Sequence, residues 1–544
     1  MIPNSLNQVL TPSAVSIDDE GRVLTGMAAR ERQSTHASQT ATAFKRYMGT
    51  NREIKLGSKS YRAEELSAFM LKSLKRDAEA FLGQPVTEAV ITVPAYFNNK
   101  QRTATRNAGE MAGLKVERLI NEPTAAALAY GLDQKQPETK FLVFDLGGGT
   151  FDISILEIFE GIIEVRASCG DNRLGGEDFN AVLIEMAKAE LGKEFKGDIQ
   201  ENSVLFQKLR EAAERTRRTL TTQNSAPFSL VWQEKAFSIE IDSEDFEKAS
   251  AQLISRMRDP VLRSMRDSGL ATADLSEIVL VGGATRMPLV RRAVTKMFGR
   301  FPNITIDPDE AVARGAAIQA GLKARHSALS EIVLTDVSPF SLGVEVTEFS
   351  HAGRQVGGIF FPIIERNCVV PASREHNFTT VSDNQTVVNL KVYQGESRWV
   401  RDNVLLGELN VPVPRGKSGE VHFDCRFSYD INGLLEVDVL VHGTGTRKQL
   451  VIADDEGISA SELARRLEAL NKIKIHPRDT DAVLTTLARA GRCYEDAIGD
   501  KRMWIGQLIS QFEGVLLGQD PRQCEQARLQ LESELDRLEG PSFL

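Results

Sequence analysis

FLVFDLGGGTFDISI, residues 141–155, combines two apolar runs with a turn of three adjacent glycines. Apolar runs that end at such a turn are typical of buried strands. Glycine lets the backbone approach a ligand, and successive N–H groups in the turn form an anion-binding concavity. Asp145, Thr150 and Asp152 border the turn, and carboxylates beside a phosphate site are typical of Mg²⁺ binding. The pattern predicts a phosphate-binding hairpin, with an ordinary glycine-rich turn as the alternative.

A second apolar run also ends in glycines. Ile278–Val281 precedes Gly282 and Gly283, and a predicted helix follows. Strands alternate with helices up to about residue 325, which is typical of an α/β domain. The two strand–glycine turns predict a duplicated α/β unit with a ligand between its halves.

A predicted helix between the two turns has one apolar face. That face is formed by Leu209, Ala213, Thr216 and Leu220. Helical spacing places Glu214, Arg217, Arg218 and Thr221 elsewhere around the helix. Taken alone, these polar residues are typical of a solvated helix face.

The composition is that of a globular protein with several domains. The chain has 544 residues, of which 42% are hydrophobic and 26% charged, and this length exceeds a single hydrophobic core. The formal net charge of −9 argues against a nucleic-acid partner. The five cysteines include no C-x-x-C pair, which favours neither a disulfide framework nor a zinc site. Since no leader or long apolar run is evident, we expect a cytoplasmic protein with no membrane partner.

The sequence pattern changes near residue 326. Between residues 337 and 456 apolar and polar residues alternate, as in Val388–Val392 and Leu435–Val439. This alternation, interrupted by turn signals, predicts an antiparallel β-sandwich. From residue 457 onward the leucine spacing predicts helices again.

Five motifs resemble those of the seventy-kilodalton heat-shock chaperone family (DnaK type), and they occur in the family's order. They are ITVPAYF at 91–97, LINEPTAAA at 119–127, FDLGGGTFD at 144–152, LGGEDF at 174–179 and DPDEAV at 307–312. Residues 338–344 and 427–436 and the short C-terminal region are most similar to the bacterial HscC branch.

The resemblance implies a multidomain architecture. It implies an α/β actin-like (duplicated ribonuclease H-like) nucleotide-binding ATPase domain at 1–325 and an interdomain linker at 326–336. An antiparallel β-sandwich that binds peptide would follow at 337–456, and an α-helical lid at 457–544. The implied function is that of a stress-response chaperone, which binds and releases exposed hydrophobic segments of unfolded proteins in allosteric coupling with ATP binding and hydrolysis.

The resemblance also assigns residues to ATP or ADP and to Mg²⁺. Glu122 and Asp145 would hold Mg²⁺ through water, and Asp152 would orient the attacking water. Lys45 would stabilise charge at the γ-phosphate, an electrostatic role. The phosphates would lie against Gly147, Gly148, Gly149 and Thr150, with Thr150 also in the catalytic set. The base and ribose would lie against Glu214, Arg217, Arg218, Thr221, Gly282, Gly283, Arg286 and Asp309.

Further residues match family positions for peptide and for allosteric coupling. The peptide channel would be bordered by Val344, Thr347, Val388 and Leu390, for which plain sandwich core is the alternative. The allosteric and co-chaperone set comprises Pro94, Arg102, Arg118 and Asp336. Pro94 and Arg102 would lie on the path between lobes, while the other two would meet a J-domain co-chaperone. A nucleotide exchange factor is a further expected partner.

The chain departs from the family pattern near its start. The family's first phosphate motif, Ile-Asp-Leu-Gly-Thr-Thr-Asn-Ser, does not occur in the sequence. Two hypotheses follow: the start was assigned too late, or the chain is a nucleotide-impaired peptide holdase or exchange-factor-like relative. We favour the first because Lys45, Glu122, Asp145 and Asp152 are all present.

Other enzyme classes fit the sequence less well. A sugar or acetate kinase could share the α/β scaffold, but it has no use for a peptide-binding sandwich after residue 337. Gly416-Lys-Ser418 resembles the end of a P-loop, but Val411 stands where that motif requires glycine. The seven histidines are dispersed and none lies in an H-E-x-x-H motif, which disfavours a metal hydrolase.

Overall fold

The structure is a computed structural model, and it divides into two compact units, Met1–Pro339 and Phe340–Leu544. It describes residues 1–131, 138–159, 162–191, 204–324, 333–349, 355–431, 433–453, 460–474 and 476–539. Within these ranges, no helix has the length and apolar character needed to cross a membrane.

The first unit is built from short strands and helices that alternate along the chain. Its strands are β1 Ala14–Ile17, β2 Val23–Thr25, β3 Thr40–Thr42, β4 Glu53–Leu56, β5 Lys59–Arg62, β6 Glu88–Val93, β7 Lys115–Asn121, β8 Glu138–Leu146, β9 Phe151–Phe159, β10 Ile162–Asp171, β11 Ser225–Trp232, β12 Lys235–Asp242, β13 Glu277–Val281 and β14 Val333–Val337. Its helices are α1 Met27–Glu31, α2 Ala63–Leu82, α3 Asn99–Met111, α4 Glu122–Gly131, α5 Gly176–Leu191, α6 Val204–Thr219, α7 Ser243–Ala249, α8 Ala251–Ser268, α9 Pro288–Phe298 and α10 Ala311–Lys323.

A first lobe contains β1–β7 with α1–α3. Its strands form the sheet β2-β1-β3, the hairpin β4-β5 and the parallel pair β6-β7. Both ends of α3 carry helix-capping signals. Asn98 and Gln101 form a capping box, and Gly113, just past the helix, has a positive φ of 74°. Residues of β1, α2 and β6 share one apolar core, which includes Val15, Leu66 and Val93.

A second lobe is organised around the predicted hairpin. Strands β8 and β9 pair antiparallel on either side of the glycine turn, with Asp145 opposite Asp152. Five strands of this lobe follow the order β13-β8-β9-β10-β14. Their core includes Phe144 and Phe151, and the predicted apolar face of α6 packs into it. The ring centroids of Phe144 and Phe151, the strand residues next to the turn, lie 4.8 Å apart, so packed aromatic side chains support the turn.

The structure corrects the expectation that the two glycine turns face each other from two halves. Strand β13 pairs parallel with β8, and Val281 lies opposite Asp145. The two turns are therefore neighbours at the carboxyl ends of adjacent strands in one lobe. The facing wall comes from the first lobe. Two similar strand–glycine patterns cannot reveal from spacing alone whether they are neighbours in one sheet or partners across a cleft.

The second unit contains strands followed by helices. Its strands are β15 Leu342–Phe349, β16 Gln355–Ile364, β17 Val369–Val370, β18 Ala372–Thr379, β19 Val387–Gln394, β20 Val404–Pro412, β21 His422–Tyr429, β22 Leu435–Val441 and β23 Arg447–Ile452. Its helices are α11 Ala460–Asn471, α12 Asp481–Asp496, α13 Gly499–Leu517 and α14 Pro521–Glu539.

Two four-stranded antiparallel sheets of the second unit share one core. We call β16-β15-β19-β20 the groove sheet and β18-β21-β22-β23 the edge sheet. The alternating residues of β19 and β22 point inward as the sequence pattern predicts, with Val392, Val437 and Val439 almost fully buried. Helices α12–α14 form a bundle with its own core, which includes Ile505, Phe512 and Leu535.

Candidate functional site

A cleft of about 660 Å³ lies between the two lobes of the first unit. Its walls come from the start of the chain, the glycine turns and helix α6. Its lining includes these residues of the predicted nucleotide site: Lys45, Gly148, Gly149, Thr150, Glu214, Arg217, Arg218, Thr221, Gly283, Arg286 and Asp309. The structure therefore brings together residues that are up to 264 positions apart in the sequence.

The predicted phosphate turn is braced by the start of α5. The N–H of Gly176 donates to the carbonyl of Gly147 at 2.9 Å, and the N–H of Glu177 donates to Gly148 at 2.9 Å. A side chain at Gly175 would collide with this turn, since its Cβ would lie 2.5 Å from the backbone nitrogen of Gly149. The double glycine at the start of α5 thus lets the helix and the turn pack closely. The sequence patterns had indicated no role for these two glycines.

The predicted catalytic side chains gather around Lys45. Lys45 and Thr150 line the cleft, while Glu122, Asp145 and Asp152 are not among its lining residues but lie close to the lysine. Lys45 Nζ donates to Glu122 Oε1 at 2.6 Å across from the hairpin. The N–H of Tyr96 donates to Asp152 Oδ1 at 3.1 Å, while Asp152 Oδ2 is buried without a hydrogen-bond partner among the described residues. Asp145 lies beside the second glycine turn, because a Cβ on Gly282 would be 2.9 Å from its Oδ1. Three carboxylates therefore surround one lysine.

Burial and crowding of like charges shift the ionisation of this group. Burial, together with the charges of Glu122 and Asp152, raises the pKa of Asp145 well above its usual value. Burial and the charge of Glu122 raise the pKa of Asp152 to about 7. Burial alone would lower the pKa of Lys45, but the charge and hydrogen bond of Glu122, together with the charges of Asp145 and Asp152, outweigh burial and the pKa is raised. Lys45 lines the cleft, and 47% of its side chain is exposed there.

The donor set fits a cation that is held through water. Among the described residues, no group of three or more His, Cys, Asp or Glu side chains is arranged to hold a metal directly. Glu122, Asp145 and Asp152 nevertheless place three carboxyl groups beside the single positive charge of Lys45, and Asp152 Oδ2 is buried without a hydrogen-bond partner among the described residues. Mg²⁺ prefers oxygen ligands and usually keeps several waters, which matches this arrangement.

Charged side chains line the other end of the cleft. Arg286 pairs with Asp307 at 2.6 Å and with Asp309 at 2.9 Å. Burial lowers the pKa of Arg217, and its Nε has no hydrogen-bond partner among the described residues. Arg218 pairs with Glu214 at 2.7 Å. Glu214, Arg217 and Arg218 of α6 therefore line the cleft. The face of the helix that carries them is not a plain solvated surface.

Besides the bond from Tyr96 to Asp152, several contacts among the described residues join the two lobes across the cleft. Arg30 Nη2 meets Glu214 Oε2 at 2.5 Å, and Arg46 Nη2 meets Asp178 Oδ2 at 2.5 Å. Two further contacts are Gln33 to Gln207 at 2.9 Å and Arg210 to Thr42 at 3.2 Å. Apart from Glu214, sequence reasoning missed the residues of the latter four contacts, because single polar side chains in a mixed polar segment carry no spacing signal.

The predicted allosteric residues meet strand β14. Asn121 Nδ2 donates to Asp336 Oδ2 at 2.8 Å, and Arg102 Nη2 donates to Asn121 Oδ1 at 2.6 Å. Burial raises the pKa of Asp336 and lowers that of Arg118, and each charge partly offsets the shift of the other. Pro94 directly follows β6, which ends beside Asn121 in β7. Of the predicted linker, residues 326–332 lie outside the described residues.

The predicted channel residues lie where two strands of the groove sheet diverge. Strands β15 and β19 each have eight residues, but their register covers Leu342–Val344 paired with Val392–Gln394. Beyond this pairing, Thr347 on β15 and Val388 on β19 are partly exposed. Val344 and Leu390 are buried in the sandwich core. Val344, Leu390 and Val388 therefore all contact the sandwich core, which is the alternative assignment for these positions, and Thr347 is partly exposed.

Comparison with known proteins adds family evidence to this geometry. Residues 50–493 match a family model described as Hsp70 protein. The chain is 42% identical over 478 residues to the chaperone protein DnaK of Thermotoga maritima and to that of Thermotoga petrophila. Each alignment covers 86% of this chain and 79% of the relative. The chaperone protein DnaK of Thermosipho africanus is 41% identical over 483 residues, which are 87% of this chain and 79% of the relative.

Proposed function

This chain belongs to the Hsp70 family and is an ATP-dependent molecular chaperone, and we propose that the cleft of its first unit binds and hydrolyses the nucleotide. The observation that carries the proposal is that a glycine turn and Lys45 line one cleft, and that three carboxylates, Glu122, Asp145 and Asp152, lie close to that lysine. N–H groups of the turn suit phosphate oxygens, and the lysine suits charge that develops on them.

Each of the predicted catalytic side chains has a proposed role. Glu122 and Asp145 would hold Mg²⁺ through water, and the ion supplies charge neutralisation at the phosphates when it is bound. Asp152 would orient the attacking water through its buried Oδ2 and accept a proton from it. Lys45 would stabilise negative charge on the γ-phosphate, and the Thr150 hydroxyl would bind a phosphate oxygen.

We extend the proposal to the architecture. The first unit would be an actin-like ATPase domain at 1–325, with the linker at 326–336. The sandwich would bind peptide at 337–456, and the helices at 457–544 would act as a lid. The motifs at 338–344 and 427–436 support placement in the HscC branch of the family.

The partners we propose are extended hydrophobic segments of unfolded proteins, bound in a groove beside Thr347 and Val388. Family membership supports a J-domain co-chaperone near Arg118 and Asp336, as well as a nucleotide exchange factor. The same membership supports action in the cytoplasm. A nucleotide-impaired holdase is the less favoured alternative, since the acidic residues and the lysine of the cleft are all present.

The test is calorimetric titration of the 544-residue chain with ATP and Mg²⁺, together with a chain that carries a family-like first phosphate motif ahead of Met1. We expect nucleotide binding to at least one form, and absence of binding to both forms would contradict the proposal. Binding by the extended form alone would mean that a first phosphate motif is needed for nucleotide affinity.

Lys45→Ala separates binding from chemistry. We expect it to slow hydrolysis by about a hundredfold or more and to weaken binding by less than about tenfold, because the lysine acts mainly on charge in the transition state. The matched control is Lys59→Ala, an exposed lysine of the same lobe. Equal losses in binding and hydrolysis would contradict the assigned role.

A further inference from the structure

The turn between α13 and α14 is hydrogen-bonded to an edge strand of the sandwich. Gln519 Nε2 donates to the carbonyl of Glu375 at 2.8 Å, and the N–H of Glu375 donates to Gln519 Oε1 at 3.1 Å. Glu375 lies in the middle of β18, the outermost strand of the edge sheet. One side-chain amide thus pairs with both backbone groups of one residue, as a neighbouring strand would.

The backbone at Gln519 favours a different residue. Its φ of 52° lies in the left-handed region, which glycine adopts most readily at the end of a helix. A glutamine at this position is nevertheless only 8% exposed. Asp520 accepts the N–H groups of Arg522 and Gln523, both at 3.0 Å, and so holds the turn at the start of α14. The pairing with β18 explains why the strained position carries this side chain.

The pairing lies away from the groove. Val437 and Val439 point into the sandwich core, so Glu436 and Asp438 point to the outer face of the edge sheet. Lys474, after α11, binds both carboxylates at 2.8 and 2.5 Å. The chain therefore crosses the outer face of the edge sheet before it reaches β18. The groove residues belong to the other sheet, which packs on the opposite side of the core.

Two of the contacts that hold the helical region to the sandwich differ in strength. Arg466 on α11 forms a bidentate ion pair with Asp430 at 2.6 and 2.8 Å, and both side chains are largely buried. Breaking a buried ion pair is strongly unfavourable, whereas two neutral hydrogen bonds are individually weak. The contact at Gln519 is therefore the one that opens first, while α11 stays in place.

We propose that Gln519 is a latch that holds the α12–α14 bundle on the edge strand β18, away from the groove, and that its release lets the bundle move over bound peptide. This inference rests on the proposed function of the groove as a peptide site. The bundle would then have two positions, one on β18 and one over the groove, and the Gln519 contact would break when the lid closes.

Two variants break the latch in different ways. Gln519→Asn keeps an amide and tolerates the left-handed backbone, but its side chain is one methylene too short to reach Glu375. Gln519→Gly removes the amide and relieves the backbone. The control is Gln511→Ala, an exposed glutamine on α13. Hydrogen exchange should show faster exchange of the Glu375 amide in both Gln519 variants and not in the control, with unchanged helical circular dichroism in all three.

The functional readout is dissociation of a fluorescent hydrophobic peptide in the presence of ATP. Both latch variants should release the peptide about tenfold more slowly than the wild type, because the freed bundle spends more time over the groove. Continued protection of the Glu375 amide in both variants would overturn the latch. Faster exchange with unchanged or faster peptide release would overturn it as well. Absence of peptide binding by the wild type would instead overturn the groove assignment on which the inference rests.

Discussion

Burial raises the pKa of Asp152, which would make its proposed role in hydrolysis depend on pH. Its carboxyl group has one hydrogen-bonded oxygen and one oxygen without a partner among the described residues, and its pKa is raised to about 7. The ionised form is the one that can orient and deprotonate a water. Near neutral pH only part of the protein therefore carries the reactive form, before nucleotide and cation add their own charges.

The pH dependence of ATP hydrolysis tests this role. The value of kcat/KM reports ionisation in the free protein, so it should fall about tenfold per pH unit as the pH drops below about 7. Steady-state hydrolysis between pH 5 and pH 9 measures it. A flat profile across pH 6 to 8 would show that Asp152 is not the group that limits the reaction.

The same shift has a consequence for stability. Because the pKa of Asp152 is higher in the folded protein, the folded state binds more protons than the unfolded state between pH 3.8 and about 7, and stability falls as the pH rises through that window. Asp152→Asn should therefore raise the Tm of the nucleotide-free protein at pH 8 by about a few degrees and leave it nearly unchanged at pH 4. Calorimetry on this variant and on the exposed control Asp259→Asn tests the sign, and a lower Tm at pH 8 would contradict it.

At the same scale, the sequence predicted eleven of the residues that line the cleft but not Arg30 and Arg46, which join the lobes. Lys45, Asp145 and Asp152 stand in motifs that identify them. Arg30 and Arg46 stand in a mixed polar segment, and their partners are more than a hundred residues away. Contacts of that range depend on tertiary structure, which local spacing does not encode.

At the scale of elements, α1 and α6 meet across the cleft through Arg30 and Glu214. Both side chains are partly exposed, with 35% and 22% of their surfaces open, so the pair is worth little in overall stability. It nevertheless bridges the two walls between which a nucleotide would enter and leave. Opening of the cleft has to break it.

Arg30→Ala should therefore speed nucleotide release about three- to tenfold, with a much smaller effect on hydrolysis of the bound nucleotide. Stopped-flow release of a fluorescent ADP analogue measures the rate. Arg22→Ala is a matched control, since Arg22 is an exposed arginine of the same lobe that pairs with Asp18. Equal acceleration by both variants would show that the cross-cleft contact does not govern release.

The strands and helices themselves follow closely from local signals, as α3 with its capping box and the β8–β9 hairpin show. Which strands pair with each other does not follow from local signals. The pairing of β13 with β8 placed both glycine turns in one lobe, whereas repetition along the chain had indicated two facing halves. Sheet order depends on which apolar faces pack together, and two similar strand–turn patterns are compatible with either arrangement.

At the scale of the molecule, strand β14 carries the proposed coupling out of the first unit. It pairs parallel with β10, and Asp336 at its end accepts a hydrogen bond from Asn121. Asn121→Ala removes that bond and also the acceptor for Arg102. We expect nucleotide affinity within about twofold of the wild type, but a smaller effect of ATP on peptide release, because the variant changes the connection and neither site. Asn107→Ala on neighbouring α3 is the control, and a normal ATP effect in Asn121→Ala would contradict this path.

The central claim is that the cleft and the groove are coupled, and one paired titration tests it most directly. Peptide affinity is measured with saturating ATP and with saturating ADP, and the ratio of ATP to ADP affinity is measured with and without saturating peptide. Because coupling between two binding sites is reciprocal, the account predicts that ATP weakens peptide binding and that peptide lowers the ATP-to-ADP ratio by the same factor. Peptide affinity that is identical in the two nucleotides, while each nucleotide binds the cleft, would contradict the account.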